Sequence, residues 1–137
     1  MIQALTEAEL NRMGEALGAR LTPGAILALE GELGSGKTTL ARAVARGLGV
    51  KETATSPTFA LVHRYAARRG PVFHVDCYRL RRPEEAEDLD WETLLTEADA
   101  LIVEWPERAG QWMPRPSHRF RLHHLPDTTR RGLEDLS

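Results

Sequence analysis

The chain has 137 residues with 18 basic and 20 acidic side chains, which gives a formal net charge of −2. This length fits a single domain over residues 1–137, and the near balance of charges gives no reason to expect tight binding to DNA, RNA or an anionic membrane. Cys77 is the only cysteine, which excludes an internal disulfide, and the polar amino terminus favours a soluble, cytoplasmic protein without a membrane span.

The amino-terminal region predicts a helix followed by a buried strand. Thr6 and Glu9 form a capping box, and apolar residues continue at helical spacing to a predicted helix end at Gly18. A Pro-Gly turn then leads to the apolar run of residues 25–29, which predicts a buried strand.

Residues 31–38 match the phosphate-binding P-loop pattern G-x-x-x-x-G-K-[ST]. They lie between that strand and a helix predicted over residues 37–46, which Gly47 terminates. Glycines let consecutive backbone N–H groups turn toward a polyphosphate, and the helix amino terminus adds a partial positive charge there. The residues predicted to contact the nucleotide here are Gly31, Leu33, Gly34, Ser35, Gly36, Lys37, Thr38 and Thr39.

Two side chains of the P-loop have predicted chemical roles. Lys37 is expected to reach the terminal phosphates and is also a candidate catalytic residue. Thr38 is expected to place its hydroxyl on the Mg²⁺ that accompanies them.

Residues 55–58, Thr-Ser-Pro-Thr, lie about 20 residues after the P-loop, where many P-loop proteins keep a loop that closes over the γ-phosphate. Their hydroxyl groups, including that of Thr58, are suited to contacting phosphate or Mg²⁺. The same residues are also ordinary turn formers, so both interpretations stay open.

The remaining elements complete an α/β pattern. Residues 59–65 and 72–76 predict two strands, and the connection of about five residues is too short for a parallel crossover, so we expect antiparallel neighbours. Residues 81–99 predict an acidic helix that opens at Pro83, and the apolar residues 100–105 predict a strand beside the P-loop strand. Residues 120–125 and 133–136 predict a closing hairpin around Asp127.

Two strand ends offer the acid that a P-loop needs for its metal. Asp76 ends the strand of residues 72–76, and Glu104 ends the apolar run of residues 101–104. If both strands run parallel to the P-loop strand, their carboxylates meet at the edge where α/β proteins bind ligands. One would hold Mg²⁺ and the other would orient water or sense the γ-phosphate, whereas either acid alone could equally cap a helix or pair with an arginine.

His123 and His124 are adjacent in a predicted strand, so their side chains should point to opposite faces of the sheet. A paired metal site at these histidines is therefore not expected.

Four motifs in this order resemble the TsaE family, formerly called YjeE. They are GELGSGKTT at 31–39, TSPTF at 55–59, HVDCYRL at 74–80 and VEWPE at 103–107, and the resemblance covers roughly residues 5–125. The family consists of small bacterial P-loop ATPases needed to make N6-threonylcarbamoyladenosine at position 37 of tRNA. The resemblance implies a P-loop NTPase-like α/β fold, a three-layer sandwich with a mixed parallel and antiparallel sheet flanked by helices.

The resemblance also implies roles for single residues. Thr38 and Glu104 would bind Mg²⁺, Asp76 would be the essential acid near the γ-phosphate, and Thr58 would belong to a switch-like segment. ATP hydrolysis, slow alone, would reset a complex with the proteins TsaD and TsaB for further turnovers, with tRNA contacted only through that complex.

Three other classes of protein also use a nucleotide site of this kind. A small-molecule kinase of the P-loop class also needs an acceptor pocket and a lid, for which 137 residues leave little chain. A GTPase needs an N-K-x-D guanine reader, which is absent because Asn11 is the only asparagine. A nucleotide-dependent binding module with negligible turnover is the third alternative. A turnover assay with and without partners would distinguish it from the ATPase.

Overall fold

A mixed β-sheet flanked by helices organises the part of the chain that the computed structural model describes, residues 1–51 and 62–137. In chain order the elements are β1 (Ile2–Thr6), α1 (Glu7–Arg20), β2 (Ala25–Gly31), α2 (Lys37–Gly47), β3 (Val62–Tyr65), β4 (Val72–Asp76), a first 3₁₀ helix (Pro83–Leu89), α3 (Trp91–Glu97), β5 (Ala100–Glu104), a second 3₁₀ helix (Pro106–Trp112), β6 (His118–His124) and β7 (Arg130–Asp135). The predicted α/β class with a mixed sheet is confirmed.

The strands lie side by side in the order β1-β7-β6-β2-β5-β4-β3. β2 is parallel to β5 and β6, and β4 is parallel to β5, whereas the pairs β3–β4, β6–β7 and β1–β7 are antiparallel. This confirms the predicted antiparallel pair, the closing hairpin, and the strand beside the P-loop strand. The parallel run of β2, β5 and β4 gives the P-loop, Glu104 and Asp76 a common edge of the sheet.

Two hydrophobic cores lie on opposite faces of this sheet. β5 shows the separation, because Ile102 packs in one core while its neighbours Leu101 and Val103 pack in the other. The first core includes residues of α1 and α2, and the second includes residues of α3 and both 3₁₀ helices. The three layers implied by the resemblance are therefore present.

The predicted end of the first helix is wrong, because α1 continues past Gly18 to Arg20. α2 ends at Gly47, the residue predicted to terminate it. A Cβ atom at Gly18 would lie 2.2 Å from the carbonyl oxygen of Val44, and one at Gly47 would lie 2.1 Å from that of Glu15. Gly18 therefore marks the close contact of α1 with α2 rather than a helix end, whereas Gly47 lies both at that contact and at the end of α2.

The single helix predicted over residues 81–99 is also wrong. A 3₁₀ helix and α3 share this stretch, and Asp90 between them has a left-handed backbone with φ 49°. Its carboxylate accepts a hydrogen bond from the backbone N–H of Thr93 at 3.3 Å and so caps α3.

The other differences between the predicted and the observed strands lie at the edges of the sheet. β1 has no counterpart among the predicted elements and forms by pairing with β7. The strand predicted over residues 59–65 is described from Val62 onward as β3, while residues 59–61 and the segment 55–58 with Thr58 lie outside the described residues. Within the two described ranges, no helix is long and apolar enough to cross a membrane.

Candidate nucleotide-binding site

The P-loop joins β2 to α2 and leaves the amino terminus of α2 open. Gly34 and Gly36 have φ angles of 77° and 109°, in the region that glycine adopts at little cost, and Gly36 is the residue that precedes the helix. Within the described residues no side chain caps this helix end. The first N–H groups of α2 are thus left for a ligand, which suits an anion.

Most of the predicted site residues line one cleft of about 240 Å³ at the carboxyl edge of the parallel strands. In the described part of the chain the lining consists of Leu33, Gly34, Gly36, Lys37, Thr38, Thr39, Asp76, Tyr78, Glu104 and Trp105. Gly31 and Ser35, the other predicted contacts, belong to the loop itself, whereas Thr58 lies outside the described residues. The structure therefore brings the P-loop together with both candidate carboxylates.

Lys37 is buried, and its Nζ donates to the carbonyl oxygens of Gly31 at 2.6 Å and Glu32 at 2.7 Å. The same atom lies 4.3 Å from the ring centroid of Trp105. Burial lowers the pKa of Lys37, and the charges of nearby carboxylates, with Glu104 the largest, oppose that shift. The loop and one aromatic ring thus hold this cation against the phosphate site.

Trp105 owes its position to an unusual backbone. Its φ of 55° is left-handed, which is rare for a bulky residue, and the turn directs its ring over Lys37 at the end of β5. The ring of Tyr78 lies 5.0 Å away, and the guanidinium of Arg108 lies over both rings. Aromatic side chains therefore form one wall of the cleft.

Glu104 is the most buried acid of the site, with 3% of its surface exposed. Its Oε1 accepts a hydrogen bond from the hydroxyl of Thr38 at 2.9 Å, and its Oε2 lies 2.6 Å from Nε2 of His74. Burial alone would raise the pKa of Glu104. The hydrogen bond and charge of His74, the hydroxyl of Thr38 and the Lys37 ammonium outweigh it, so the pKa is lowered and the carboxylate is ionised.

Asp76 is placed differently from Glu104. The two residues are opposite each other in the register of β4 and β5, but Asp76 is only partly buried. Its Oδ1 accepts a hydrogen bond from the backbone N–H of Tyr78 at 3.0 Å. One acid is therefore fixed beside Thr38, and the other is open to the cleft.

The available donors fit a nucleotide with Mg²⁺. Thr38 and Glu104 supply oxygen atoms, which are the ligands that Mg²⁺ prefers. The hydroxyl of Ser35 is buried and has no hydrogen-bond partner among the described residues, so the loop contains a polar atom that needs one.

A second hollow of about 270 Å³ lies on the other side of the P-loop. It shares Gly34, Gly36 and Thr39 with the first cleft, and α1 and the β6–β7 turn supply the rest. The remaining lining residues are Glu7, Leu10, Thr128, Thr129 and Arg131. The two hollows together follow the P-loop on both sides.

Of the reactive side chains in the described ranges, His123, His124 and Cys77 do not line the cleft. His123 contacts Glu134 and His124 contacts the carbonyl oxygen of Leu33, so the two rings have separate partners. Cys77 is fully buried, and burial together with nearby carboxylates raises the pKa of its thiol to about 12, which makes it a poor nucleophile.

Sequence reasoning missed His74, Tyr78 and Trp105 as components of the site. All three belong to the HVDCYRL and VEWPE motifs, so a signal was present in the sequence. Their contribution depends on contacts across strands and on the left-handed turn at Trp105, which the letters alone do not specify.

Comparison with known proteins agrees with these motifs. Residues 4–132 match the model of the family described as threonylcarbamoyl adenosine biosynthesis protein TsaE. Among similar proteins are three named tRNA threonylcarbamoyladenosine biosynthesis protein TsaE, from Nostoc sp., Streptomyces coelicolor and Bacillus subtilis. They are 42%, 39% and 34% identical over 74%, 82% and 89% of this chain.

The matches cover 64%, 78% and 76% of those relatives, so this chain spans less than two thirds of the Nostoc protein. A solved structure, that of Bacillus subtilis YdiB, superposes with a TM-score of 0.75 at 25% identity, over 98% of this chain and 86% of that one.

Proposed function

This chain belongs to the TsaE family, and we propose that it binds ATP with Mg²⁺ beside the P-loop and hydrolyses it to support synthesis of tRNA N6-threonylcarbamoyladenosine. The observation that carries the proposal is the single cleft that joins the P-loop, Lys37, Thr38, Asp76 and Glu104. The alternative of a small-molecule kinase is not favoured by the family relationship.

The phosphates of ATP would bind to the loop and to the open amino terminus of α2. The loop N–H groups donate to phosphate oxygens, and Lys37 adds a charge that the fold already holds at this place. The hollow lined by α1 and the β6–β7 turn would take the ribose and base, because it continues directly from the loop.

Thr38 and Glu104 would hold the metal. When bound, Mg²⁺ would neutralise charge on the phosphate oxygens. The Thr38 hydroxyl donates its hydrogen to Glu104, and this leaves a lone pair of the hydroxyl oxygen available for a cation.

Asp76 would act on the reaction itself. Its carboxylate lines the cleft and one oxygen is fixed by the backbone of Tyr78, so it can orient the attacking water or respond to the γ-phosphate. In hydrolysis the water oxygen bonds to the γ-phosphorus while the bond to the bridging oxygen breaks, leaving ADP and phosphate.

Hydrolysis would serve partner proteins. We infer that its partners are the proteins TsaD and TsaB, that tRNA is reached through their complex, and that this occurs in the cytoplasm. The net charge of −2 supports an indirect contact, since it offers little general attraction to RNA phosphates.

The decisive experiment is reconstituted tRNA modification with and without this protein. We expect TsaD, TsaB and a supply of an activated threonylcarbamoyl donor to give multiple turnovers only when this chain and ATP are present. ATP hydrolysis by the pure protein should be slow and should rise when TsaD and TsaB are added. Undiminished multi-turnover modification without this chain would remove the proposed function, even if ATP binds as described.

A further inference from the structure

His74 opens the HVDCYRL motif, yet the proposed function gives it no role. It lies on β4 two residues before Asp76 and is opposite Ile102 in the register with β5. Because side chains alternate along a strand, His74 shares a face with Asp76, Ile102 and Glu104. In the described part of the chain the lining of the cleft includes Glu104 but not His74, so His74 can act only through another residue.

The contact between His74 and Glu104 is short and shielded from water. Nε2 lies 2.6 Å from Oε2, with 7% of His74 and 3% of Glu104 exposed. The other carboxylate oxygen, Oε1, accepts from the Thr38 hydroxyl at 2.9 Å. The Thr38 hydroxyl also lies 3.2 Å from Oε2, so it contacts both oxygens while His74 contacts Oε2 alone. These contacts fix the carboxylate plane between β4 and α2.

The direction of this hydrogen bond follows from charge. A carboxylate that binds a divalent cation is ionised, and an ionised carboxylate only accepts hydrogen bonds, as Oε1 does from the Thr38 hydroxyl. The hydrogen in the contact must therefore reside on Nε2 of His74.

We propose that His74 is a positioning residue that, by donating from Nε2, holds Glu104 in the orientation in which it and Thr38 bind the Mg²⁺ of the ATP complex. This inference rests on the proposed function. Residues that do not contact the metal but donate a hydrogen bond to one of its ligands fix the orientation of that ligand. Replacing them typically lowers metal affinity roughly 10–100-fold.

A purely structural role is the rival explanation. Removing the donor would leave a buried carboxylate without its partner, which would destabilise the fold whether or not a metal binds. The two explanations make different predictions for a variant that folds. Only the positioning role predicts weaker metal binding without loss of nucleotide binding.

The test compares three variants by Mn²⁺ binding, measured by electron paramagnetic resonance on protein saturated with a non-hydrolysable ATP analogue. His74→Phe keeps a ring but removes the donor, whereas His74→Gln keeps an N–H group. His123→Phe is the matched control, because it breaks another cross-strand histidine–glutamate contact, with Glu134 at 3.0 Å, between β6 and β7. Analogue binding in EDTA and thermal unfolding are measured on the same samples.

We expect His74→Phe to weaken Mn²⁺ binding roughly 10–100-fold, His74→Gln to restore part of that loss, and His123→Phe to bind Mn²⁺ like the wild type. Analogue binding in EDTA should be unchanged in all three. Wild-type Mn²⁺ affinity in folded His74→Phe would overturn the inference while leaving the proposed function intact, and so would an equal loss in His123→Phe. A wild-type protein that binds the analogue but no Mn²⁺ would overturn both.

A measurement on the wild type keeps the inference testable even if His74→Phe does not fold. Nitrogen-15 NMR of the histidine rings should show His74 protonated at Nε2, with a shift that moves when Mg²⁺ is added to the analogue complex. An unprotonated Nε2 in His74, or a ring nitrogen shift that does not change when Mg²⁺ is added, would contradict the positioning role.

Discussion

Lys37 shows at the scale of one residue how the fold prepares for an anion. It is a buried cation whose hydrogen-bond partners among the described residues are carbonyl oxygens, with the Trp105 ring 4.3 Å from its Nζ. Burial of a charge with so little direct neutralisation is unfavourable, as the lowered pKa indicates. A polyphosphate would supply the missing negative charge.

Replacing Lys37 with alanine should weaken ATP binding by about 1.5–3 kcal/mol, because it removes a charge-assisted contact to the phosphates. Isothermal titration calorimetry in the presence of Mg²⁺ would measure this. Lys51→Ala is the natural control, since Lys51 is the only other lysine and is exposed. Equal ATP affinity in the Lys37 and Lys51 variants would rule out the assignment of Lys37.

Asp76→Asn should leave ATP binding largely intact while slowing hydrolysis by roughly 100-fold or more, the range of a lost acid–base group. The asparagine oxygen can still accept from Tyr78 N–H, so the local turn is kept and only the charge is lost. Asp127→Asn makes the same change in a similar turn, where Oδ1 accepts from Thr129 N–H. Single-turnover ATPase rates that match in the two variants would count against Asp76.

Glu104→Gln should raise the Mg²⁺ concentration needed for half-maximal hydrolysis, because it removes the ionised oxygen beside Thr38. Nucleotide binding in EDTA should change little. Glu107→Gln, an exposed acid close enough to influence Lys37, controls for the loss of charge. A Mg²⁺ titration identical to the wild type would make Glu104 a structural residue.

The single residues whose roles could be predicted are those that belong to a motif of defined spacing or that end an apolar strand. The P-loop motif specifies Lys37 and Thr38, and apolar strands ending in an acid specify Asp76 and Glu104. His74 was not predictable in its role, since a histidine inside an apolar strand acquires meaning only through the neighbour across the sheet.

At the scale of elements, the packing of α1 on α2 explains glycines that look like helix ends. Glycine is a common helix stop, yet Gly18 lies inside α1, while Gly47 is the last residue of α2. Sequence reasoning uses local conformational preference, whereas these positions are set by the distance between two helices. The break at Asp90 was not predicted because an acidic run is compatible with either one helix or two.

Gly18→Ala should therefore destabilise the protein by about 1–3 kcal/mol, the usual effect of overfilling a packed contact. On an exposed helix surface the same change would stabilise the protein by up to about 1 kcal/mol. The sign of the change in the free energy of unfolding therefore distinguishes a packed position from an exposed one. Urea unfolding would measure it, with Arg12→Ala at an exposed position of α1 as control. A Gly18→Ala variant as stable as the wild type would show that the helices can separate without cost.

For the whole molecule, the site results from strand direction. β2, β5 and β4 are consecutive in the sheet and parallel, so three separate stretches of chain end at one edge. The sequence predicted this part because apolar strands alternate with helices, while the outer strand β1 depended on pairing with β7, more than one hundred residues away in the chain.

Acid unfolding of the whole protein should report the state of Glu104. Its pKa is lowered in the fold from the usual 4.5, because the donors around it outweigh burial. A carboxyl group of this kind contributes stability that is complete above its unfolded pKa and is lost as the pH falls through the folded value. The contribution of Glu104 should therefore be present at neutral pH and disappear at acid pH.

Urea unfolding at a series of pH values from about 6 to about 3 would measure this, for wild type and Glu104→Gln. The free energy of unfolding should fall more steeply with acid in the wild type, because glutamine cannot take up the proton that the native carboxylate resists. Glu107→Gln, made at an exposed acid, supplies the background slope. Parallel curves for wild type and Glu104→Gln would mean that the His74 and Thr38 contacts do not stabilise the ionised form of Glu104, and the electrostatic account of the site would fail.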